Sequence, residues 1–116
     1  MGMGVDMVPV RGLVWHPSFW QAAHWKIQVV SGTADSAVPF IGTERWMECL
    51  GLGVADDWKA WKIGHDVAGM VKRWQPNLSL VTVKGCGHTI PYSCPEPGFA
   101  FFENYLNEAR AAGGGA

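Results

Sequence analysis

A mixed α/β fold with an incomplete sheet and flanking helices is predicted by three features of this sequence. Trp25 to Ser31 reads Trp-Lys-Ile-Gln-Val-Val-Ser and then meets Gly32; an apolar, β-branched run stopped by glycine is a strand that ends in a turn. The stretch from about 58 to 84 divides into three short strand-like runs separated by turn residues. Two further stretches, after Thr43 and from about 96 to 111, repeat apolar residues at helical spacing.

Taken in order, residues 1–24 are punctuated by Pro9, Gly12 and Pro17 and crowd Trp15, Phe19 and Trp20 into a short span. They read as an irregular N-terminal segment with one short helix near Ser18 to His24, where Ser18 can cap. Residues 25–112 form the folded unit. After the first strand comes the polar loop Thr33-Ala34-Asp35-Ser36-Ala37-Val38-Pro39. Thr43 is placed to cap a helix whose Trp46, Met47 and Leu50 share one face, with Gly51 as its stop. Strands at about 58–64, 66–74 and 78–84 follow, turned at Gly64 and at Pro76-Asn77, and make an antiparallel meander. A closing helix at about 96–111 puts Phe99, Phe102 and Leu106 on one stripe, which reads as core packing. Residues 113–116 are a Gly-rich flexible tail.

Bulk composition excludes several classes. With 116 residues, one small domain fits and two do not. Nine Lys and Arg against ten Asp and Glu give a net charge of −1, too balanced for the basic field that nucleic acid or an anionic membrane requires. No apolar run approaches a membrane span, and residues 1–24 carry no signal-peptide pattern. Cys49, Cys86 and Cys94 leave at least one thiol unpaired within the chain. That count favours free thiols, or one thiol paired to another chain, over a disulfide framework. No cofactor-binding motif and no strong metal pattern is present; the spacing of Cys86, His88 and Cys94 matches no zinc signature. His16, His24 and His65 read as solvated or packed. Asn77-Leu78-Ser79 is a glycosylation acceptor triplet at a turn. Trp58 and Trp61 alternate poorly for a two-faced strand, which suits an interface or a substrate wall.

Two loops carry the chemistry. Asp35 and His88 each lie in a Gly-containing loop just after a strand, where side chains are held by the sheet yet reachable. An acid followed by a histidine is the order of the last two members of an α/β-hydrolase triad.

Val30-Ser31-Gly32-Thr33-Ala34-Asp35-Ser36-Ala37-Val38-Pro39 resembles the segment around the triad aspartate of serine carboxypeptidases. Val83-Lys84-Gly85-Cys86-Gly87-His88-Thr89-Ile90-Pro91 resembles the segment around the triad histidine. Leu50-Gly51-Leu52, Trp58 to Trp61, Val67-Ala68-Gly69, Asn77 to Leu80 and Pro97 to Leu106 continue the likeness in the right order, from about Lys26 to Asn107. The resemblance implies the C-terminal part of an α/β-hydrolase fold, with Asp35 and His88 as catalytic residues and Thr89 as a substrate-binding residue. It also implies release of C-terminal amino acids from peptides, and a secretory, vacuolar, lysosomal or extracellular setting. Its relatives include acyltransferases and hydroxynitrile lyases, so these loops do not fix the substrate.

The sequence departs from the family pattern at three places. Thr33 stands where the family has a first aspartate. Ser18, Ser31, Ser36, Ser79 and Ser93 all lack the Gly-x-Ser-x-Gly elbow of a nucleophile. The oxyanion donors and carboxylate-gripping groups that the family carries upstream are missing with it. The implied partner is a serine-bearing complementary polypeptide or another protein subunit, with a peptide as substrate. The alternative function is that of a truncated, non-catalytic relative acting as a structural or binding subunit.

Overall fold

The computed structural model describes residues 26–112. The expected irregular segment, the helix near Ser18 to His24 and the tail at 113–116 lie outside the described residues. The elements run β1 (Ile27–Gly32), α1 (Phe40–Glu48), β2 (Val54–Ile63), β3 (Asp66–Trp74), β4 (Leu78–Val83), α2 (Ile90–Ser93) and α3 (Pro95–Ala112).

One four-stranded sheet has the order β1-β4-β3-β2. β1 pairs with β4 in parallel, Ile27 opposite Leu78 through Gly32 opposite Val83. The expected meander is present: β2 and β3 pair antiparallel, as do β3 and β4. Its turn at Gly64 takes a positive φ of 62°, which costs glycine little. Every residue of β4 is buried, which fits an unbroken Leu-Ser-Leu-Val-Thr-Val run covered on both faces.

The covers are α1 on one face and α3 on the other, and alternation along β3 sorts its side chains between them. Lys72 and Trp74 point to α1: the ammonium meets Glu44 and Glu48, and Trp74 joins Met47, Leu50, Leu78 and Leu80 in the larger core. Arg73 points to α3, where its guanidinium forms a two-bond fork with Glu108 at 3.2 and 3.0 Å. A smaller core of Val83, Cys86 and Ile90, with Phe101 packed against it, lies under the chain that follows β4.

Several sequence expectations are corrected. β2 begins at Val54, before 58, and takes in Asp56 and Asp57: an edge strand open to water tolerates charge, and this one is mostly exposed. α1 begins at Phe40 with Pro39 at the N-cap and no side-chain cap. Thr43 is inside the helix and buried, its hydroxyl 3.5 Å from the Pro39 carbonyl. Phe99 and Phe102 are 65% and 54% exposed rather than core. The inward face of α3 carries Phe101, which packs against the smaller core, with Tyr105, which bonds the Lys26 carbonyl, and Glu108. Because that face includes a charge, apolar periodicity selects the neighbouring stripe instead. Cys86 and Cys94 form a disulfide, and Cys49 is the free cysteine. The half-buried Trp58 and Trp61 indoles donate to Glu44 Oε2 and to the Thr82 carbonyl, and Trp61 also lines a small cavity with Arg73 and Phe101.

Candidate active site

β1 and β4 run side by side in the same direction, so the loops after them emerge at the same end of the sheet. Main-chain bonds tie these loops together. Thr33 N–H donates to the Val83 carbonyl at 3.0 Å, and Ala34 N–H donates to the Cys86 carbonyl at 2.9 Å. The Thr33 hydroxyl accepts from Gly85 N–H at 2.8 Å. Gly32 fits because it has no side chain: a Cβ there would run into the Cys86 carbonyl oxygen and lie 2.6 Å from that of Gly87.

This lacing brings Asp35 and His88 together across 53 residues of sequence, with Oδ2 2.9 Å from Nδ1. A carboxylate can only accept, so Nδ1 carries the proton and the neutral ring keeps its lone pair at Nε2. Among the described residues this is the ring's one hydrogen bond. The imidazole is 65% exposed, whereas the Asp35 side chain is 6% exposed under its own loop. The other Asp35 oxygen, Oδ1, accepts from Ala37 N–H at 2.9 Å and Val38 N–H at 3.1 Å.

The bond with His88 is the largest influence holding the Asp35 carboxyl below its usual pKa, with the Val38 amide next; burial opposes them. A cavity of about 240 Å³ opens beside the pair, lined by the end of β1, Val38, Thr43 and Trp46. An imidazole with one nitrogen held by a carboxylate and the other facing open space can accept a proton from a hydroxyl placed against it.

Thr89 is exposed just beyond His88 and is not among the residues lining that cavity. Its carbonyl accepts from Tyr92 and Ser93 N–H at the start of α2. His65 is exposed in the β2–β3 turn. Among the described residues no group of three or more His, Cys, Asp or Glu side chains could hold a metal, and the disulfide occupies both thiols of the zinc grouping considered above. No helix among them is long and apolar enough to cross a membrane. Sequence reasoning missed the Thr33–Gly85 bond and the disulfide. The signal for the second was a pair of cysteines flanking His88 closely enough to close a short loop.

A family model described as serine carboxypeptidase matches residues 16–108. The chain is similar to Serine carboxypeptidase-like 33 of Arabidopsis thaliana, 42% identical over 82 residues, which are 71% of this chain and 17% of that protein. It is also similar to Serine carboxypeptidase 1 of Hordeum vulgare, 40% identical over 78 residues, 67% of this chain and 16% of that one. Serine carboxypeptidase-like 20 of Arabidopsis thaliana is 36% identical over 86 residues, 74% of this chain and 17% of that protein. The chain thus spans less than a fifth of the length of these relatives. With a family match over most of its residues, the chain belongs to the serine carboxypeptidase family.

Proposed function

We propose that this chain supplies the acid and the histidine of a Ser-His-Asp triad, Asp35 and His88, to a nucleophilic serine carried outside these 116 residues. The observation that carries the reading is the 2.9 Å contact between Asp35 Oδ2 and His88 Nδ1, which leaves Nε2 facing open space. In this reading the sheet is part of an α/β-hydrolase sheet, and the missing strand pairs with the free edge of β1, whose C-terminal end leads into the acid loop. That edge needs a neighbour, since a parallel strand is normally paired on both sides.

The chemistry follows from the protons. His88 Nε2 takes the serine proton as the hydroxyl attacks the scissile carbonyl, and Asp35 stabilises the imidazolium and fixes its tautomer. The ring then gives that proton to the leaving amine, the C-terminal amino acid departs, and water repeats the cycle on the acyl-enzyme. Thr89, exposed and next to His88 in sequence, would contact substrate in this reading, as the family resemblance implies. Without the serine the Asp–His pair has no nucleophile, and loss of that residue costs on the order of 10⁶ in kcat in a serine protease.

The test is reconstitution: mix the chain with the serine-bearing part of a serine carboxypeptidase and assay release of C-terminal residues from a peptide. The wild-type mixture should release them and the His88→Ala mixture should not; equal rates would end this reading. A second reading, a non-catalytic binding subunit, is favoured by the exposed aromatics Tyr92, Phe99 and Phe102. It predicts a stable complex with no release of amino acids.

A further inference from the structure

His88 is the least supported part of the site. On its N-terminal side the chain is fixed as far as Cys86, by Thr33 Oγ1 on Gly85 N–H and by Ala34 N–H on the Cys86 carbonyl. Beyond that point, among the described residues, neither Gly87 nor His88 makes a backbone hydrogen bond. The next fixed point is Thr89, whose carbonyl starts α2. The imidazole itself is 65% exposed, with one bond to a carboxylate. Water competes for such a contact, so it is too weak to hold a side chain on a loose tether. Whatever keeps His88 against Asp35 must restrain the tether from both ends.

The C-terminal end is restrained by Ile90, buried against Val83 and Cys86, and by Cys94, covalently joined to Cys86 across 8 positions. His88 therefore lies inside a small covalent ring that closes on Cys86, a residue already bonded to the acid loop. We propose that the Cys86–Cys94 disulfide is a positioning clamp for His88, so that a thiol reductant uncouples the imidazole from Asp35 while the sheet stays folded. The proposal rests on the reading of Asp35 and His88 as a working pair.

The redox step balances with a dithiol as reductant. One thiolate attacks Cys94 Sγ, since Cys94 is partly exposed and Cys86 is only 1% exposed. The Cys86–Cys94 bond breaks and Cys86 leaves as a thiolate that takes a proton. The reagent's second thiol displaces Cys94, which is protonated in turn. Two electrons pass to the protein, and the reagent ends as a cyclic disulfide.

The test is ¹⁵N NMR of the His88 ring in the whole chain, in a Cys49→Ser background, at alkaline pH, with and without dithiothreitol. In the oxidised chain Nδ1 should show the protonated, pyrrole-type shift and Nε2 the pyridine-type shift. On reduction the two signals should converge as the tautomers mix, with far-UV circular dichroism unchanged. A Cys86→Ala/Cys94→Ala variant should give the converged signals without reductant and no further response to it. With a serine-bearing partner in place, kcat should fall on the order of 10²-fold on reduction, the effect of about 1 Å of misplacement.

Unchanged ring signals in a chain shown by alkylation and mass to hold both new thiols would overturn the clamp. So would loss of all secondary structure on reduction, which would make the bridge a general staple. If the double variant fails to fold, reduction of the parent chain decides alone. Asp35→Asn in the oxidised chain separates the two levels. If it leaves the ring signals unchanged, the Asp–His reading fails and the clamp with it; if it shifts them while reduction does not, only the clamp fails.

Discussion

Asp35 accepts three hydrogen bonds, from the Ala37 and Val38 amides on Oδ1 and from His88 on Oδ2. Its lowered pKa sets the sign of a pH effect. A carboxyl that titrates lower folded than unfolded contributes stability fully above its ordinary value near 4, and that contribution disappears as pH falls through the lower folded value. Urea midpoints of the parent chain and Asp35→Asn should therefore differ near neutrality and converge in strong acid. In a reconstituted enzyme the same substitution should lower kcat on the order of 10⁴-fold, because an amide no longer selects the Nδ1–H tautomer. Gly32→Ala should destabilise by about 2 kcal/mol in urea unfolding, since its methyl meets the Cys86 and Gly87 carbonyl oxygens, backbone that cannot easily move. The placement of Asp35 and His88 in Gly-containing loops after strands was legible in the sequence, because strand-then-turn patterns are local. The Thr33–Gly85 bond and the disulfide were not: each joins partners whose closeness only the folded chain reveals.

Among the elements, β1, β3 and β4 were legible because β-branched and apolar runs bounded by glycine or proline leave few other readings. β2 starts earlier than its apolar residues indicate, and the inward face of α3 is not its most apolar stripe, because charged residues belong to both. On β2 the charges are indeed solvated, and on α3 Glu108 is drawn inward by Arg73 and Lys26. Burial alone would raise the Glu108 pKa, but the bonds from Lys26 and Arg73 outweigh it and hold it low. The corresponding tie for α1, the helix leading out of the Asp35 loop, is Lys72, whose ammonium lies 2.7 Å from Glu48 and 3.2 Å from Glu44. The Glu48 bond, opposed by burial and aided by Glu44, raises the Lys72 pKa. Its stabilisation is thus fully present below lysine's ordinary value near 10.4 and lost as pH rises through the higher folded value. Lys72→Met should cost about 2 kcal/mol in chemical unfolding, below the 3 to 5 of about fully buried pairs, because Glu48 stays half wet.

At the scale of the molecule, the surfaces without cover among the described residues include the free edge of β1 and the face of α3 where Phe99 is 65% and Phe102 54% exposed. An apolar face and an open strand edge favour association. The isolated chain should bind a hydrophobic surface dye and self-associate with rising concentration in analytical ultracentrifugation, and a serine-bearing partner should suppress both. A clean monomer with no dye binding would show that these surfaces need no cover. The central claim, that Asp35 and His88 activate a serine from outside the chain, is tested most directly by fluorophosphonate labelling of the reconstituted complex, which reports nucleophile activation whatever the substrate. The serine should be labelled rapidly with the parent chain and at background rate with His88→Ala; equal labelling with both would contradict the account.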